Sequence, residues 1–323
     1  MKLHINITTM ARYLDPKNDL IFKRIFGENP DLLLAFLNAL MPFPSGCQIE
    51  ELTYLPTEQV PDTPGKKDSI VDVKCKDNNG RVFIVEMQMY WFEAFMNRVV
   101  FNAGKAYVRQ LEKGNNYDLL HPVYSLAILN ENFDHKTEQF YHHYSIVNRE
   151  NTDEVMEGLE FVLVELKKFK PETWSERRMA VLWLRFLKEV GERMSILPAE
   201  LKEDKLINKA AVLCEEAAFT EAELNSYDAY WDFVSTQKSV RSEAKRAQDK
   251  LDAAQVKLET TQATLKATQA KLEAEQAKLE AEQAKKDAIQ TEKDTLQAEK
   301  DAMQAERTIL LARIAEFERQ NSK

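Results

Sequence analysis

The spacing of apolar side chains predicts two helices at the start of the chain. The first, "LDPKNDLIFKRIFG", has Asp15 at the N-cap position and Pro16 at the first helical position. Gly27 follows its last apolar residue, where a helix of this kind ends. The second, "NPDLLLAFLNALMP", repeats the arrangement of a capping residue followed by proline. Two short helices are therefore expected to lead the chain.

A strand, a turn and a second strand are predicted next, because apolar and polar residues alternate through "DSIVDVKCKDNNGRVFIVEMQMYW". The following segment, "FEAFMNRVVFNAGKAYVRQLEKG", has apolar residues at helical spacing, and "VYSLAILN" is typical of a buried strand. A later strand is predicted in "LEFVLVELKKF", and residues 174–237 are predicted to be mainly helical. The order helix, strand, strand, helix, strand predicts a mixed α/β fold.

The length of the turn between the first two strands decides which side chains share a face. A three-residue loop with Gly80 in the left-handed conformation pairs Asp77 with Arg81. Counting back from that pair places Asp72 opposite Glu86. A two-residue turn would shift the register by one residue and move Asp72 to the other face. The prediction therefore depends on the loop length.

Two opposed carboxylates repel each other, and a neighbouring positive charge has to compensate. The repulsion costs up to about 1 kcal/mol at a solvated position. A hard divalent cation such as Mg²⁺ compensates directly, since it takes one or two carboxylate ligands and keeps sites for water and phosphate. Alternatively, Asp72 and Glu86 lie on a solvated face and pair with Lys74, Lys76 or Arg81. Both interpretations are open from the pattern alone.

Near residue 238 the composition changes to a repeat rich in Ala, Gln, Glu, Lys and Leu. Leucines recur every seven residues over Leu258–Leu279, and a second apolar lane runs over Ile289–Leu310. Each lane is apolar for only half of its length, so the seam buries little area per heptad. A long helix is predicted, either as a homo-oligomer through residues 251–317 or as a solvated single helix.

Composition and charge narrow the classes of function. The 323 residues, 44% of them hydrophobic, suffice for one sizeable core and a further region. The formal net charge of −9 argues against a general electrostatic nucleic-acid binder, so contact with nucleic acid would need a local basic patch or a bound cation. The sequence has no apolar run of signal-peptide or membrane-span length, which predicts a cytoplasmic protein without a membrane partner. Three scattered cysteines indicate neither a disulfide framework nor a metal site.

An Asp on one strand, a turn, and then Glu-x-Gln on the next strand before a helix form a distinctive series. It is carried by "DPKNDLIFKRIFG", "KKDSIVDVKCKDNNGRVFIVEMQ" and "YVRQLEKGNNYDLLHPVYSLAILN", in this order. Together these segments resemble the Rpn-type recombination-promoting nucleases, also described as PD-(D/E)xK nuclease family transposases. Gln88 holds the position of the superfamily lysine. The resemblance covers residues 10–235 and leaves out the heptad segment.

This resemblance implies a restriction-endonuclease-like fold, a mixed sheet flanked by helices, followed here by a long C-terminal coiled-coil-like helix. It implies a Mg²⁺-dependent DNA endonuclease, with Mn²⁺ as a substitute, that acts in recombination or in mobile elements. Asp72 and Glu86 carry over as catalytic metal ligands, and Gln88 as the third catalytic residue. A carboxamide can orient a water or a phosphate oxygen, but it cannot carry positive charge or shuttle a proton.

Further residues are candidates for supporting roles. The superfamily often adds an acid from the first helix, and Asp19 holds that position; it could equally form an i, i+4 ion pair with Lys23. The candidates for contacts with DNA phosphates are Lys67, Arg98, Lys105, Arg109 and Gln110. For each of these, a solvated side chain without a DNA contact is the alternative.

The chain is thus predicted to have four parts. They are an N-terminal extension over residues 1–9, with Met10 as the candidate native start, a nuclease-like core over 10–150, a mainly helical part over 151–237 and a heptad-repeat helix over 238–323. Two functions remain in view. The first is a metal-dependent DNA endonuclease, and the second is a catalytically weak or inactive relative that acts as a DNA-binding or coiled-coil assembly protein.

Overall fold

The computed structural model describes residues 12–44, 46–59, 69–112, 114–174 and 176–321, so the predicted N-terminal extension lies outside the described residues. The strands are β1 (Leu52–Tyr54), β2 (Glu58–Gln59), β3 (Ser69–Ile70), β4 (Val73–Asp77), β5 (Val82–Gln88), β6 (Val123–Leu129), β7 (Tyr141–Val147) and β8 (Val155–Glu165). The helices are α1 (Asp19–Phe26), α2 (Pro30–Leu40), α3 (Phe95–Val108), α4 (Arg178–Glu189), α5 (Ala199–Glu203), α6 (Lys205–Val212) and α7 (Glu221–Asn321).

Six strands form a mixed sheet in the order β1-β4-β5-β6-β8-β7. β4 runs antiparallel to β5, whereas β5, β6 and β8 run parallel to one another. β2 and β3 pair separately as a short ribbon. The parallel strands are joined by long connections, of which the one between β5 and β6 contains α3, as parallel pairing requires. A mixed sheet flanked by helices was predicted from the sequence, and the prediction is confirmed.

Strand β5 is buried on both faces. Phe83 and Val85 pack into the main core, which also contains residues of α1, α2 and α4. Val82 and Ile84, on the opposite face, pack against α3. The polar face that the alternation predicted is therefore covered by a helix, and Glu86 is only 3% exposed. The alternative in which the two opposed acids lie on a solvated sheet face is wrong for Glu86.

The turn between β4 and β5 has three residues, as the sequence predicted. The Asp77 N–H donates a hydrogen bond to the Arg81 carbonyl oxygen at 3.0 Å. Gly80 has a φ of 80°, which glycine adopts without strain. Val73 pairs with Val85, and continuing this register sets position 72 opposite position 86. The predicted register is confirmed.

The first helix begins later than its capping pattern predicts. α1 starts at Asp19, and the Asn18 side chain accepts a hydrogen bond from the Leu20 N–H at 3.0 Å. Asp15 instead accepts a hydrogen bond from the Lys17 N–H at 2.9 Å, in the turn before the helix. The prediction of Asp15 as N-cap was wrong because two capping residues lie close together, and only Asn18 reaches the first helical N–H groups.

The sheet continues past the predicted boundary at residue 150. β8 pairs in parallel with β6, so the predicted core and the predicted helical part share one sheet. β7, which the sequence pattern did not reveal, pairs with β8 at the edge. After β8 the chain is mainly helical, as predicted, and Trp183 of α4 is fully buried in the main core.

The chain divides into two compact units, residues 1–238 and 239–323. The first part of the long helix α7 belongs to the first unit, and the rest belongs to the second. Tyr227, in its first part, is buried within the first unit. In the second unit the described side chains are exposed, including Leu258 with 58% of its surface accessible. None of the helices in the described part of the chain has the length and apolarity needed to cross a membrane.

Candidate active site

Asp72 lies at a bend between β3 and β4 instead of inside a strand. Its Oδ2 accepts a hydrogen bond from the Met87 N–H at 2.7 Å. An antiparallel neighbour would ordinarily satisfy that N–H with a backbone carbonyl, so here a carboxylate takes the place of the carbonyl. The bend and this bond hold the Asp72 carboxylate against the end of β5, next to Glu86.

Glu86 is held beneath α3 by two side chains of that helix. Its Oε1 accepts a hydrogen bond from Asn102 Nδ2 at 2.9 Å, and Arg98 Nη2 lies 3.4 Å from its Oε2. Asn102 is 1% exposed, and its Oδ1 has no hydrogen-bond partner among the described residues. Sequence reasoning missed Asn102. The available signal was a polar residue three positions after Val99 on the apolar face of the helix.

Gln88 is oriented by hydrogen bonds at both ends of its amide. Arg98 Nη2 donates to Gln88 Oε1 at 2.7 Å, and Gln88 Nε2 donates to the Tyr90 carbonyl oxygen at 2.8 Å. The Arg98 guanidinium carbon also lies 5.0 Å from the ring centroid of Phe95. A guanidinium is always protonated in proteins. A permanent positive charge therefore stands beside Gln88, although the residue itself is neutral.

The surroundings of Asp72 and Glu86 disfavour the ionised forms of both side chains, so both pKa values are raised. Burial raises the pKa of Asp72 to about 7, and the charges of Glu86 and Asp19 contribute to the increase. Burial also raises the pKa of Glu86, against the opposing effects of Arg98 and Asn102. Neighbouring acids with raised pKa values are common at functional sites, and a bound cation would favour their ionised forms.

Asp19 is both paired and close to the hairpin. Lys23 Nζ lies 2.8 Å from its Oδ1, which is the i, i+4 ion pair considered from the sequence. Its charge also contributes to the raised pKa of Asp72. In the part of the chain that the structure describes, no three His, Cys, Asp or Glu side chains form a group that could hold a metal ion. Asp19 therefore does not complete a three-acid cluster with Asp72 and Glu86.

The donor atoms at this position fit a hard divalent cation. Mg²⁺ binds carboxylate oxygens, and it commonly uses one or two of them with water and phosphate completing its shell. Asp72 and Glu86 supply two carboxylates. The Oδ1 of buried Asn102, which has no hydrogen-bond partner in the described part of the chain, is a further hard oxygen on a side chain bonded to Glu86. These residues could hold Mg²⁺ or Mn²⁺ without a third acid.

A comparison with known protein families shows to which family the chain belongs. The family model described as PD-(D/E)XK nuclease family transposase matches residues 16–244. The chain belongs to this family. The match contains every strand of the sheet and both hairpin acids, and the mixed sheet between helices agrees with the restriction-endonuclease-like fold. No curated protein matches the chain, and no solved structure matches it.

Membership of the PD-(D/E)XK nuclease family supports a nuclease with DNA as its implied substrate. Of the side chains predicted to contact DNA phosphates, the structure brings Arg98 next to Glu86. Lys67 lies outside the described residues. Lys105, two helical turns after Arg98, donates a hydrogen bond to the Gln59 carbonyl oxygen and lies 3.4 Å from Ser69 Oγ. It is therefore anchored to the β2–β3 ribbon.

The last two candidates lie at the far end of α3, about 16 Å along the helix axis from Arg98. Burial lowers the pKa of Lys74, and the charge of Arg109 adds to this effect. Gln110 bonds to the backbone N–H and carbonyl oxygen of His121, each at 2.9 Å. The structure does not bring Arg109 and Gln110 together with the hairpin acids.

Proposed function

We propose that this member of the PD-(D/E)XK nuclease family transposases is a Mg²⁺-dependent DNA endonuclease that hydrolyses a phosphodiester bond. The observation that carries the proposal is the pair of carboxylates of Asp72 and Glu86 at the end of the β4–β5 hairpin. Both have raised pKa values, and both lie in the segment that the family model matches. Placing a partly buried acid beside a buried one is unfavourable unless a positive charge pairs with them, which supports a cation site.

In this proposal the carboxylates of Asp72 and Glu86 hold the metal ion. When bound, the ion supplies an activated water nucleophile and stabilises the negative charge that develops on the phosphate. Asn102 keeps Glu86 in place through its hydrogen bond to Oε1. The Met87 N–H does the same for Asp72. The chain thus positions both acids before any ligand arrives.

Gln88 and Arg98 share the work that a single lysine would do. The carboxamide of Gln88, oriented by Arg98 and by the Tyr90 carbonyl, can hydrogen-bond a water or a phosphate oxygen. Arg98 adds the permanent positive charge that a carboxamide lacks. A guanidinium does not release its proton, so it cannot serve as general acid or base. Proton transfer must then pass through water or a carboxylate, and slow catalysis is expected.

The test is cleavage of supercoiled plasmid by the full chain with Mg²⁺ or Mn²⁺. Asp72→Ala and Glu86→Ala are compared with the parent, and Asp118→Ala, an exposed acid in the loop after α3, is the matched control. We expect cutting by the parent and the control, loss of cutting in both hairpin variants, and loss in the parent when EDTA is added. Equal cutting by all four proteins would contradict the proposal.

A second candidate is a catalytically weak relative that binds DNA and assembles through α7. The observation in its favour is the row of exposed leucines in the second unit, such as Leu258 at 58% and Leu265 at 58% exposure, which a partner helix would cover. In the same plasmid experiment, a parent that binds DNA but cuts no better than Asp72→Ala across metals and pH values would support this candidate.

A further inference from the structure

A cavity of about 620 Å³ opens at the N-terminal end of α3. Its walls are mainly apolar, from Ile70, Phe92, Ala94 and Phe101, and polar groups are contributed by Asn97 and Arg98. We call it the α3 cavity. Its volume falls within the range of about 300–1,000 Å³ that is typical of sites for small ligands.

Two aromatic rings of the α3 cavity are partly exposed to solvent. Phe92 has 38% of its surface accessible, and Phe101 has 43%. The Arg98 guanidinium carbon lies 5.6 Å from the ring centroid of Phe92, and Lys105 Nζ lies 5.2 Å from that of Phe101. Each exposed ring thus has a cation at cation–π distance.

The helix that forms the cavity is locally basic in an acidic chain. The whole protein has a formal net charge of −9, yet α3, from Phe95 to Val108, contains Arg98 and Lys105 and no Asp or Glu. Positive charge interleaved with aromatic rings is the arrangement by which proteins hold single-stranded nucleic acid, since the cations contact phosphates and the rings stack on bases. An apolar protein partner would not require these cations.

The cavity is continuous with the candidate active site through one residue. Arg98 lines the α3 cavity, donates to Gln88 Oε1 at 2.7 Å and lies 3.4 Å from Glu86 Oε2. A ligand group in the cavity therefore lies next to the position where the proposed function puts the phosphodiester. A nucleobase one position from that phosphate is the group that a DNA strand would bring there.

We propose that the α3 cavity binds an unpaired nucleobase of the DNA substrate, stacked against Phe101 and Phe92, with Asn97 available to hydrogen-bond the base edge. This inference rests on the proposed function, because it assumes that DNA reaches the acids. A base in an intact duplex is stacked and paired, and it must leave the helix to enter such a cavity. The preferred substrate is then single-stranded DNA, or a duplex with an unpaired base, over fully paired DNA.

Binding is measured with the full chain in EDTA, so that cleavage does not interfere. The probes are one labelled oligonucleotide as a single strand, as a perfect duplex and as a duplex with one unpaired 2-aminopurine, whose fluorescence falls on stacking. Phe101→Ala removes the ring, and Phe101→Trp keeps a stacking surface. Tyr117→Ala, which removes an aromatic side chain that is 84% exposed in the loop after α3, is the matched control.

We expect the parent and the control to bind the single strand more tightly than the duplex and to quench the 2-aminopurine. Phe101→Ala should weaken single-strand binding about tenfold and abolish the quenching, and Phe101→Trp should restore both. Equal affinity for single strand and duplex, or a Phe101→Ala protein that binds and quenches like the parent, overturns the inference. If the parent cuts plasmid and gives one of these two results, the base-binding inference is wrong and the proposed nuclease function is still supported. A parent that shows Phe101-dependent stacking but does not cut DNA contradicts the proposed nuclease activity and leaves the base-binding cavity supported.

Discussion

The Asp72 carboxylate accepts a hydrogen bond from the Met87 N–H at 2.7 Å, so strand β5 itself holds the acid beside Glu86. This bond needs an oxygen acceptor and does not need a charge. A carboxamide can replace the carboxylate in it, whereas an apolar side chain leaves the Met87 N–H without a partner. The structural and the proposed metal-binding roles of Asp72 can therefore be separated by substitution.

We predict that Asp72→Asn folds like the parent but loses plasmid cleavage by about a hundredfold or more, since an amide lacks the negative charge with which a carboxylate holds Mg²⁺. Asp72→Leu should lose cleavage and also be about 1–3 kcal/mol less stable than Asp72→Asn, because the Met87 N–H loses its acceptor. Urea unfolding and plasmid cleavage on the same preparations separate the two effects. Full activity of Asp72→Asn would exclude Asp72 as a metal ligand.

The raised pKa of Asp72 predicts a pH-dependent difference in stability. Because burial and neighbouring acids raise this pKa to about 7, the folded protein holds the proton more tightly than the unfolded chain does. The contribution of Asp72 to stability is therefore favourable at acid pH, falls as pH rises toward 7 and stays low above it. Without metal, the stability of Asp72→Asn relative to the parent should therefore increase between pH 5 and pH 8, by up to a few kcal/mol. Urea unfolding at the two pH values measures this, and a difference that does not change with pH would contradict it.

Asn102 is expected to control the ionisation of Glu86. Its hydrogen bond to Oε1 lowers the pKa of Glu86 against the effect of burial, so Asn102→Ala should raise that pKa. The rising limb of the pH–cleavage profile then moves to higher pH, and stability falls by about 1–3 kcal/mol. Asn115→Ala, at an exposed position in the loop after α3, is the control and should change neither quantity. A loss of stability with an unmoved profile would limit Asn102 to a packing role.

The hydrogen bond between Arg98 and Gln88 predicts how cleavage changes when Gln88 is replaced by the lysine that is usual in the superfamily. In Gln88→Lys the ammonium replaces a group that accepts a hydrogen bond from Arg98 at 2.7 Å, so two cations face each other. We expect Gln88→Lys alone to lower cleavage, and the further change Arg98→Gln to recover activity above that of either single variant. A double-variant cycle measures the coupling. Strict additivity of the two changes would show that these residues do not act as a unit.

The exposed leucines of α7 predict association through the second unit. We expect the full chain to sediment as an oligomer and a chain ending at Ala244, where the family match ends, to sediment as a monomer with its sheet domain folded. Leu265→Glu together with Leu272→Glu in the full chain should have the same effect, since charges would then lie in the seam. An unchanged mass in both would exclude the heptad seam as the interface.

Much of the hairpin could be predicted from the sequence because a short turn is a local structure. Gly80 sets a three-residue loop, and period-two alternation then places Asp72 opposite Glu86 without reference to the rest of the chain. The family resemblance was found from the same segments, and the family model confirms it. The start of α1 was predicted less well. Asp15 and Asn18 are both good capping residues, and in the folded chain it is Asn18 that caps the helix.

The sequence by itself determined the register of the two acids, the long C-terminal helix and the family. The reason is that turn type, helix periodicity and motif order depend on residues that are close together in the sequence. The tertiary structure decided that α3 lies over β5, so that Glu86 is buried and Asn102 bonds to it. It also decided that Arg98 reaches Gln88 from another element. The physical reason is that a helix pattern shows which face is apolar, whereas the strand that this face covers depends on how all the layers pack together.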